Sequence, residues 1–273
     1  SYLSQVADTA SIELLNAAQA DYVKTYVQAN LPQYKDLPVL SAQAPFKGGF
    51  AGATDYTDVL VGDVSIRSAA DLYLYSNTVY AVKITGKALK GWLENSGGQF
   101  NTIDPAKTTA QQLLNASYKV YNYDIIDGVT YEFDLTKEVG SRVVNLKLNG
   151  TPVTDTQQFI VATNNYRASG LTKQAIYKSI HPAEVEVLLA SPEANRDVVI
   201  NYVKNLKTIT SAQFKPNANW RFAKLPSQAG KIVFTSAPAA NDVLAAEGVS
   251  NVTLDNATPN ASGLLTYRID LTK

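Results

Sequence analysis

Hydrophobic residues recur at helical spacing in two segments of the chain. In residues 11–31, apolar positions three and four apart form one stripe, made of Leu15, Ala18, Tyr22 and Tyr26. Pro32 follows, so the pattern predicts an amphipathic helix that ends there. Residues 80–84 alternate between the two faces of a strand and lead into residues 87–95, where Leu89, Trp92 and Leu93 share a helical face. This second segment predicts a strand followed by a helix.

Between residues 118 and 160 the pattern changes to short strands. Asp127-Gly128 and Asn149-Gly150 each stand between β-rich runs. Both dipeptides favour two-residue hairpin turns because they tolerate positive φ. Tyr131, Phe133 and Leu135 alternate with polar residues, which predicts the buried face of one strand. We therefore expect two hairpins in this region.

A second strand, loop and helix are predicted further along the chain. Residues 159–163 are an apolar strand, Asn-Asn-Tyr follows as a loop, and a later helix is expected with Ser191 as its N-cap and Pro192 as its first residue. Residues 231–234, 240–247 and 264–271 predict a strand, a helix and a strand. No low-complexity linker interrupts these elements, so they predict one integrated α/β unit with mixed sheets.

Composition and charge narrow the classes of partner. The chain has 273 residues, of which 45% are hydrophobic and 18% charged, enough to bury a large core. Its 24 Lys and Arg residues balance 24 Asp and Glu residues, so no net positive field is present to hold a nucleic-acid polymer. The chain starts without a signal sequence and has no apolar stretch of bilayer length. We expect a piece of a longer protein, without a membrane span in this segment.

Side chains that catalyse reactions are scarce. The chain has no cysteine, which excludes thiolate nucleophiles, zinc–thiolate sites and disulfides. Its single histidine, His181, precedes Pro182 and is interpreted as the residue that starts a helix. The acidic residues are scattered without the spacing of metal ligands. We therefore predict no catalytic residue, no metal and no cofactor in this chain.

Two segments combine an apolar approach with an aromatic ring and amide side chains. Residues 160–170 contain Asn164, Asn165, Tyr166 and Arg167, and residues 70–78 contain Tyr75 and Asn77. Two rings can clasp a flat heterocycle while neighbouring amides bond to its edge. An ordinary strand followed by a turn also explains either segment alone. Since aromatic rings stack on sugars too, a non-enzymatic cell-surface or carbohydrate-binding module is the alternative function.

These segments belong to a larger set of motifs that spans nearly the whole chain. The others are Asn-Tyr-Asp-Ile-Ile-Asp-Gly-Val-Thr-Tyr at 122–131, Val-Asn-Leu-Lys-Leu-Asn-Gly at 144–150, Ser-Pro-Glu-Ala-Asn-Arg at 191–196, and residues 1–7 and 267–271. Together they resemble the C-terminal domain of the 5′-nucleotidase superfamily, most of all its branch of bifunctional 2′,3′-cyclic-nucleotide 2′-phosphodiesterases/3′-nucleotidases.

The resemblance implies a layered α/β/β/α-type domain with mixed sheets. Residues 1–31 would be a linker or bridging helix packed on the domain, and residues 32–273 the substrate-binding domain. The implied enzyme is exported, to the periplasm, the cell wall or the extracellular space. Its N-terminal metallophosphatase domain, part of the same polypeptide, would hold two divalent metals and catalyse hydrolysis, while this chain alone would bind a nucleoside or nucleotide without turnover.

The resemblance also assigns roles to residues. It places the base sandwich on Tyr75 and Tyr166, with Asn77 as the partner of the base edge, while Tyr73 and Tyr123 are expected in the core. Asn165 is a further substrate-binding candidate. Arg167 is a further candidate for ligand binding, or a brace for its own loop. Lys47, in a Gly-rich loop at residues 45–50 that lacks the arginine of some relatives, could supply charge to the nucleotide or remain a solvated lysine. The sequence also departs from the family after Gly170, where Leu171-Thr172 replaces a second glycine.

Overall fold

The chain folds into helices and strands that a computed structural model describes for residues 1–173, 177, 179–210 and 212–273. The helices in these ranges are α1 (Ala10–Asn30), α2 (Ile66–Leu72), α3 (Gly86–Ser96), α4 (Asn165–Thr172), α5 (Asn195–Leu206) and α6 (Ala240–Val243). The strands are β1 (Val39–Gln43), β2 (Thr78–Thr85), β3 (Gln111–Gln112), β4 (Ile125–Asp127), β5 (Thr130–Phe133), β6 (Val143–Leu148), β7 (Thr151–Pro152), β8 (Gln158–Asn164), β9 (Val185–Ala194), β10 (Trp220–Phe222), β11 (Ile232–Ser236), β12 (Val252–Asn256) and β13 (Leu265–Ile269).

The strands form three sheets, and each sheet contains both parallel and antiparallel pairs. A five-stranded sheet has the order β4-β1-β8-β2-β9, a second has β10-β5-β6-β7, and a third has β12-β13-β11-β3. The parallel pairs are β1 with β8, β10 with β5, and β11 with β3. The predicted α/β fold with mixed sheets is therefore confirmed.

The five-stranded sheet is covered on both faces. Val23 and Val27 of α1 pack on one face, against a cluster that includes Val79 and Ile160. The other face contributes to the main core, where the largest fully buried side chain is Trp92 of α3. Burial on both faces holds the ends of β1 and β8 and the start of β2 rigidly, and the segments next to these points form much of the site described below.

Local sequence signals located several elements correctly. Helices α1 and α3 lie within a residue or so of their predicted bounds. Asn149 and Gly150 form the predicted two-residue hairpin turn between β6 and β7, with φ values of 48° and 83°. His181 caps a short 3-10 helix (Pro182–Glu184), where its Nδ1 accepts a hydrogen bond from the Ala183 amide at 3.2 Å. In that segment the histidine has the structural role that the sequence predicted.

The prediction of a hairpin at Asp127-Gly128 was wrong. Strand β4 pairs with β1, and β5 pairs with β6 and β10, so the chain passes from one sheet to another at this point. Gly128 has a φ of 94°, and a Cβ there would come within 2.8 Å of a Leu40 methyl group. The glycine is needed for this close crossing beneath β1, which the dipeptide signal alone does not distinguish from a hairpin.

The predicted helix start at Ser191-Pro192 was also wrong. Strand β9 continues through both residues, and α5 begins only at Asn195. β9 is the outer strand of its sheet, where a proline without an amide hydrogen is tolerated. The Ser191 hydroxyl lies 2.8 Å from the Tyr22 hydroxyl of α1 and accepts a hydrogen bond from the Glu193 amide. It therefore ties β9 to α1 instead of capping a helix.

The C-terminal region follows its prediction in part. Strands β11 and β13 lie where the pattern predicted strands, and they pair with each other along their length. The helix expected at residues 240–247 is shorter, since α6 ends at Val243, and the sequence did not indicate β12. Within the described ranges, none of the helices combines the length and the apolar character that a bilayer span requires.

Three carboxyl groups meet where the start of α1 contacts the end of β4. Asp8 Oδ2 accepts a hydrogen bond from the Ala218 amide at 2.9 Å, and Glu13 Oε2 accepts one from Asn217 Nδ2 at 2.9 Å. The same Asn217 nitrogen lies 3.2 Å from Asp127 Oδ1. Burial, and then the charges of Asp8 and Asp127, raise the pKa of Glu13 to about 8. We therefore expect Glu13 to hold a proton at neutral pH.

This raised pKa predicts that stability falls as the pH increases. The folded protein binds the Glu13 proton more tightly than the unfolded chain, whose ordinary glutamate pKa is 4.5. The stabilisation is complete below the unfolded pKa and is lost as the pH rises towards 8. We expect Glu13→Gln, which is neutral at every pH, to raise the Tm at about pH 8.5 and to change it little at about pH 5. Thermal unfolding at both values is the measurement, and an unchanged Tm at the higher pH would contradict the expectation.

Candidate functional site

An aromatic cavity of about 290 Å³ lies at the ends of the central strands. Its lining residues are Phe46 after β1, Tyr75 and Asn77 between α2 and β2, Tyr121 in a 3-10 turn (Val120–Asn122), Asn164 at the end of β8, and Tyr166 and Arg167 in the first turn of α4. Larger clefts of about 390 and 630 Å³ occur elsewhere on the described surface. The described lining of this cavity combines four aromatic rings with two side-chain amides, which is the chemistry that suits a flat polar ligand.

Tyr75 and Tyr166 line the same cavity although they are distant in sequence. Their side chains are 40% and 49% exposed, whereas Tyr73 and Tyr123 are fully buried, as predicted for core residues. Phe46 supports the Tyr75 ring edge to face, with 5.0 Å between ring centroids, and contacts Tyr73 in the same way. Two accessible phenol rings thus line one space, and the Tyr75 ring packs on Phe46, which in turn packs on the buried Tyr73.

The predicted Asn-Asn-Tyr loop is the start of helix α4. Asn164 is the N-cap, because its Oδ1 accepts a hydrogen bond from the Arg167 amide at 2.9 Å. Its Nδ2 donates to the Tyr73 hydroxyl at 3.2 Å. Burial raises the pKa of Tyr73 to about 12, so this hydroxyl stays protonated. The capped helix fixes Tyr166 more firmly than a loop would.

Arg167 braces the cavity wall from behind. Its side chain is 3% exposed, and its Nε lies 2.7 Å from Asp124 Oδ2. Nη1 donates to Asn122 Oδ1 at 3.1 Å, and the guanidinium carbon lies 5.4 Å from the centre of the Tyr166 ring. Burial opposes the charge of Arg167, but Asp124 reverses this effect and raises its pKa. The arrangement matches the bracing role that the sequence left open for this residue.

Asp124 connects Arg167 to the core. Its carboxylate accepts hydrogen bonds from Arg167 Nε, from Trp92 Nε1 at 2.8 Å and from the Tyr177 hydroxyl at 2.9 Å. Asp124 itself is 2% exposed. Since Asn122 follows Tyr121 directly, the same network ties the Tyr121 turn to the start of α4. Two aromatic walls of the cavity therefore depend on one buried carboxylate.

The two amides predicted as ligand partners lie in different places. Asn77 lines the cavity, and its Nδ2 is 3.4 Å from the Tyr73 hydroxyl. Asn165 does not line it; instead its Oδ1 accepts a hydrogen bond from the Thr78 amide at 3.2 Å. That bond joins the start of α4 to the start of β2. Asn165 thus connects the start of β2, which follows Tyr75, to the start of α4, which carries Tyr166.

Lys47 lies outside the cavity lining and forms an ion pair with Asp71. Its neighbour Phe46 faces the cavity instead. Among the described lining residues, Arg167 is the one charged side chain, and Asp124 neutralises it. No group of three or more His, Asp or Glu side chains within these ranges is arranged to hold a metal ion. The site therefore presents rings and amides to a ligand, with little net charge.

Sequence reasoning missed three lining residues, which are Phe46, Tyr121 and Asn164. Phe46 stands in the Gly-rich motif next to Lys47, and Tyr121 directly precedes the motif at 122–131. The available signal was an aromatic residue inside one motif, for Phe46, and directly before another, for Tyr121. Asn164 was regarded as part of a loop, and its capping role becomes visible only once α4 is known.

Solved structures with the same fold are 5′-nucleotidases and a related enzyme. A 5′-nucleotidase precursor from Thermus thermophilus superposes with a TM-score of 0.59 and 15% identity, covering 82% of this chain and 37% of that one. The NAD nucleotidase of Haemophilus influenzae gives a TM-score of 0.51 and 17% identity, covering 84% and 35%. At these identities the likeness concerns the fold alone.

Relatives identified by sequence have a higher identity to this chain than these solved structures do. The 2′,3′-cyclic-nucleotide 2′-phosphodiesterase/3′-nucleotidase of Haemophilus influenzae is 36% identical over all of this chain and 43% of its own length. A trifunctional nucleotide phosphoesterase of Bacillus subtilis is 43% identical over 82% of this chain and 16% of its own length. The chain thus spans less than half of either relative. The profile of the family described as 5′-nucleotidase, C-terminal domain, matches residues 3–179, and the chain belongs to that family.

Proposed function

We propose that this chain is the substrate-binding domain of a 2′,3′-cyclic-nucleotide 2′-phosphodiesterase/3′-nucleotidase, in which Tyr75 and Tyr166 clasp the nucleobase. The observation that carries the proposal is the convergence of these two accessible rings, with Asn77, on one cavity. Base–aromatic stacking contributes ~1–3 kcal/mol per base. Relatives with this enzyme name match along the whole of this chain, which supports the substrate class.

The polar groups of the cavity fit the edge of a base better than a phosphate. Asn77 can accept a hydrogen bond through its Oδ1 and donate one through its Nδ2, as the edge of a nucleobase requires. Asn164 is already committed to capping α4 and to Tyr73. Arg167 is neutralised by Asp124, so it serves as a brace. The domain therefore binds the uncharged base and leaves the phosphate ester free to reach a catalytic centre.

Hydrolysis belongs to a second domain in this proposal. Because the matching relatives are more than twice as long as this chain, an N-terminal metallophosphatase domain of the same polypeptide is the expected partner. Divalent metals bound there would activate water and stabilise charge on the phosphate. The lining residues that the structure describes include no carboxylate or imidazole, and the contribution of the cavity is orientation of the substrate. Residues 1–31 would bridge the two domains, with residues 32–273 as the substrate domain, and the enzyme would be exported.

Calorimetric titration of the chain with adenosine and with 3′-AMP tests this function. We expect both ligands to bind with affinities within about threefold of each other, because the one cation among the described lining residues, Arg167, is already paired with Asp124. Salt between about 0.05 and 0.5 M is expected to change either affinity by less than about twofold. No phosphate release from 3′-AMP is expected from the chain alone.

Glucose and galactose are the matched ligands for the alternative function. Binding of either sugar without binding of adenosine would favour a carbohydrate-binding module, in which the same rings stack on a sugar face. Absence of adenosine binding at millimolar concentration would contradict the proposed nucleobase site. Rapid release of phosphate by the chain alone would contradict the assignment of catalysis to another domain.

A further inference from the structure

Arg196 of α5 holds the segment that carries Tyr75. Its Nε donates a hydrogen bond to the Tyr73 carbonyl at 3.1 Å, and its Nη2 donates to the Leu74 carbonyl at 2.8 Å. The neighbouring Asn195 amide donates to the Asn77 carbonyl at 2.9 Å. Two consecutive residues at the start of α5 therefore fix both ends of the segment between α2 and β2.

Asn195 and Arg196 together form a clamp on this segment, and the clamp is itself connected to the protein interior. The Asn195 side-chain Nδ2 donates to Gln19 Oε1 at 2.6 Å, and Gln19 Nε2 donates to the carbonyls of Ala42 and Ala162. Asn195 and Gln19 are both buried, and the two carbonyls belong to the central strands β1 and β8. The start of α5 is thus fixed to the same sheet that carries Tyr166. Arg196 transmits that fixed position to the opposite wall of the cavity.

Besides Arg196, the buried Tyr73 anchors the clamped segment and Phe46 contacts the Tyr75 ring, but the middle of the segment is exposed. Leu74 and Tyr75 are 45% and 40% exposed, and the residues between α2 and β2 form neither helix nor strand. A planar guanidinium can bond two successive carbonyls at once, which an ammonium group cannot do in the same geometry. Arg196 does not line the cavity, so it does not contact the space where a base would lie.

We propose that Arg196 is a positioning residue, which sets the position of the Tyr75 ring and thereby the gap between the two tyrosines. The role rests on the proposed nucleobase site, because its effect on binding passes through Tyr75. The proposal also makes a separate claim about the protein without ligand. In that state, the bonds from Arg196 hold the Tyr75 ring in place. The two claims are measured independently.

The binding claim is tested with a double-mutant cycle of Arg196→Gln and Tyr75→Ala. We expect Arg196→Gln to weaken adenosine binding by about three- to tenfold in the wild-type background, since the site is no longer preorganised. In the Tyr75→Ala background the same change is expected to have no effect. Arg196→Lys should give a loss similar to that of Arg196→Gln. Arg221→Gln, which removes an exposed guanidinium from Glu132 on another sheet, is the matched control and should leave affinity unchanged.

The positioning claim is tested by NMR of ring-labelled tyrosines without ligand. Arg196→Gln is expected to shift or broaden the Tyr75 ring signal and to leave the Tyr166 signal in place. Unchanged Tyr75 signals would overturn the inference, whatever the binding data show. Equal losses of affinity in both backgrounds would overturn it as well, because they indicate a general structural role. If Tyr75→Ala alone left adenosine binding intact, the nucleobase clasp would fail, while the ring signals would still decide whether Arg196 positions Tyr75.

Discussion

Replacing Asp124 with asparagine is expected to lower the free energy of unfolding by about 3–5 kcal/mol. The substitution leaves the Arg167 guanidinium buried without a counter-charge, because that side chain is only 3% exposed. Asparagine offers one acceptor oxygen where the carboxylate accepts bonds from Trp92, Arg167 and Tyr177. The NH2 group of the asparagine would also face hydrogen-bond donors, with which it cannot form hydrogen bonds. Urea denaturation followed by tryptophan fluorescence measures the effect, since Trp92 lies in the network.

Two comparisons separate the loss of the buried pair from a general loss of packing. Adding Arg167→Gln to Asp124→Asn removes the unpaired cation and should restore part of the stability. Glu132→Gln disrupts the more exposed pair with Arg221 and is expected to cost less than about 1 kcal/mol. If Asp124→Asn also cost less than about 1 kcal/mol, Asp124 would not be the centre of the network.

Removing either tyrosine ring should cause the largest loss of ligand affinity. Tyr75→Ala and Tyr166→Ala each remove one stacking surface, which corresponds to ~1–3 kcal/mol, or roughly a five- to 150-fold weaker adenosine Kd. Phenylalanine keeps the aromatic face, so Tyr75→Phe and Tyr166→Phe are expected to retain most of the affinity. Titration calorimetry of the four variants is the measurement.

Stability and location controls accompany these variants. Both rings are substantially exposed, so the alanine variants should keep a Tm close to that of the wild type. Tyr26→Ala removes a partly exposed tyrosine from the separate cleft between α1 and α5 and should not change adenosine binding. Wild-type affinity in both Tyr75→Ala and Tyr166→Ala would refute the sandwich.

Elements whose formation depends on nearby residues could be predicted from sequence. The stripe of α1 and the Asn149-Gly150 turn follow from local periodicity and from backbone freedom, and both lie where expected. The two aromatic and amide segments were also recognisable, because each follows an apolar run directly. Tyr75, Tyr166 and Asn77 accordingly line one cavity, although their role in binding stays a prediction until it is measured.

The remaining features depend on partners that lie far away in the sequence. Arg167 is a brace because it pairs with Asp124 of the motif at 122–131, and Lys47 is unavailable to a ligand because it pairs with Asp71 of α2. The course of the chain after Asp127 depends on which strands β4 and β5 pair with, which a turn signal does not contain. Local patterns thus identified chemically suitable side chains, and tertiary contacts decided which of them face the cavity.

Pro192 in the outer strand β9 has a consequence for behaviour in concentrated solution. An open sheet edge offers unpaired amides and carbonyls to any other extended chain, which is a route to aggregation. Pro192 has no amide hydrogen to offer, and the exposed carboxylate of Glu193 places a charge beside it on the same strand. This border of the five-stranded sheet is thereby protected against intermolecular β-pairing by residues that take no part in the cavity.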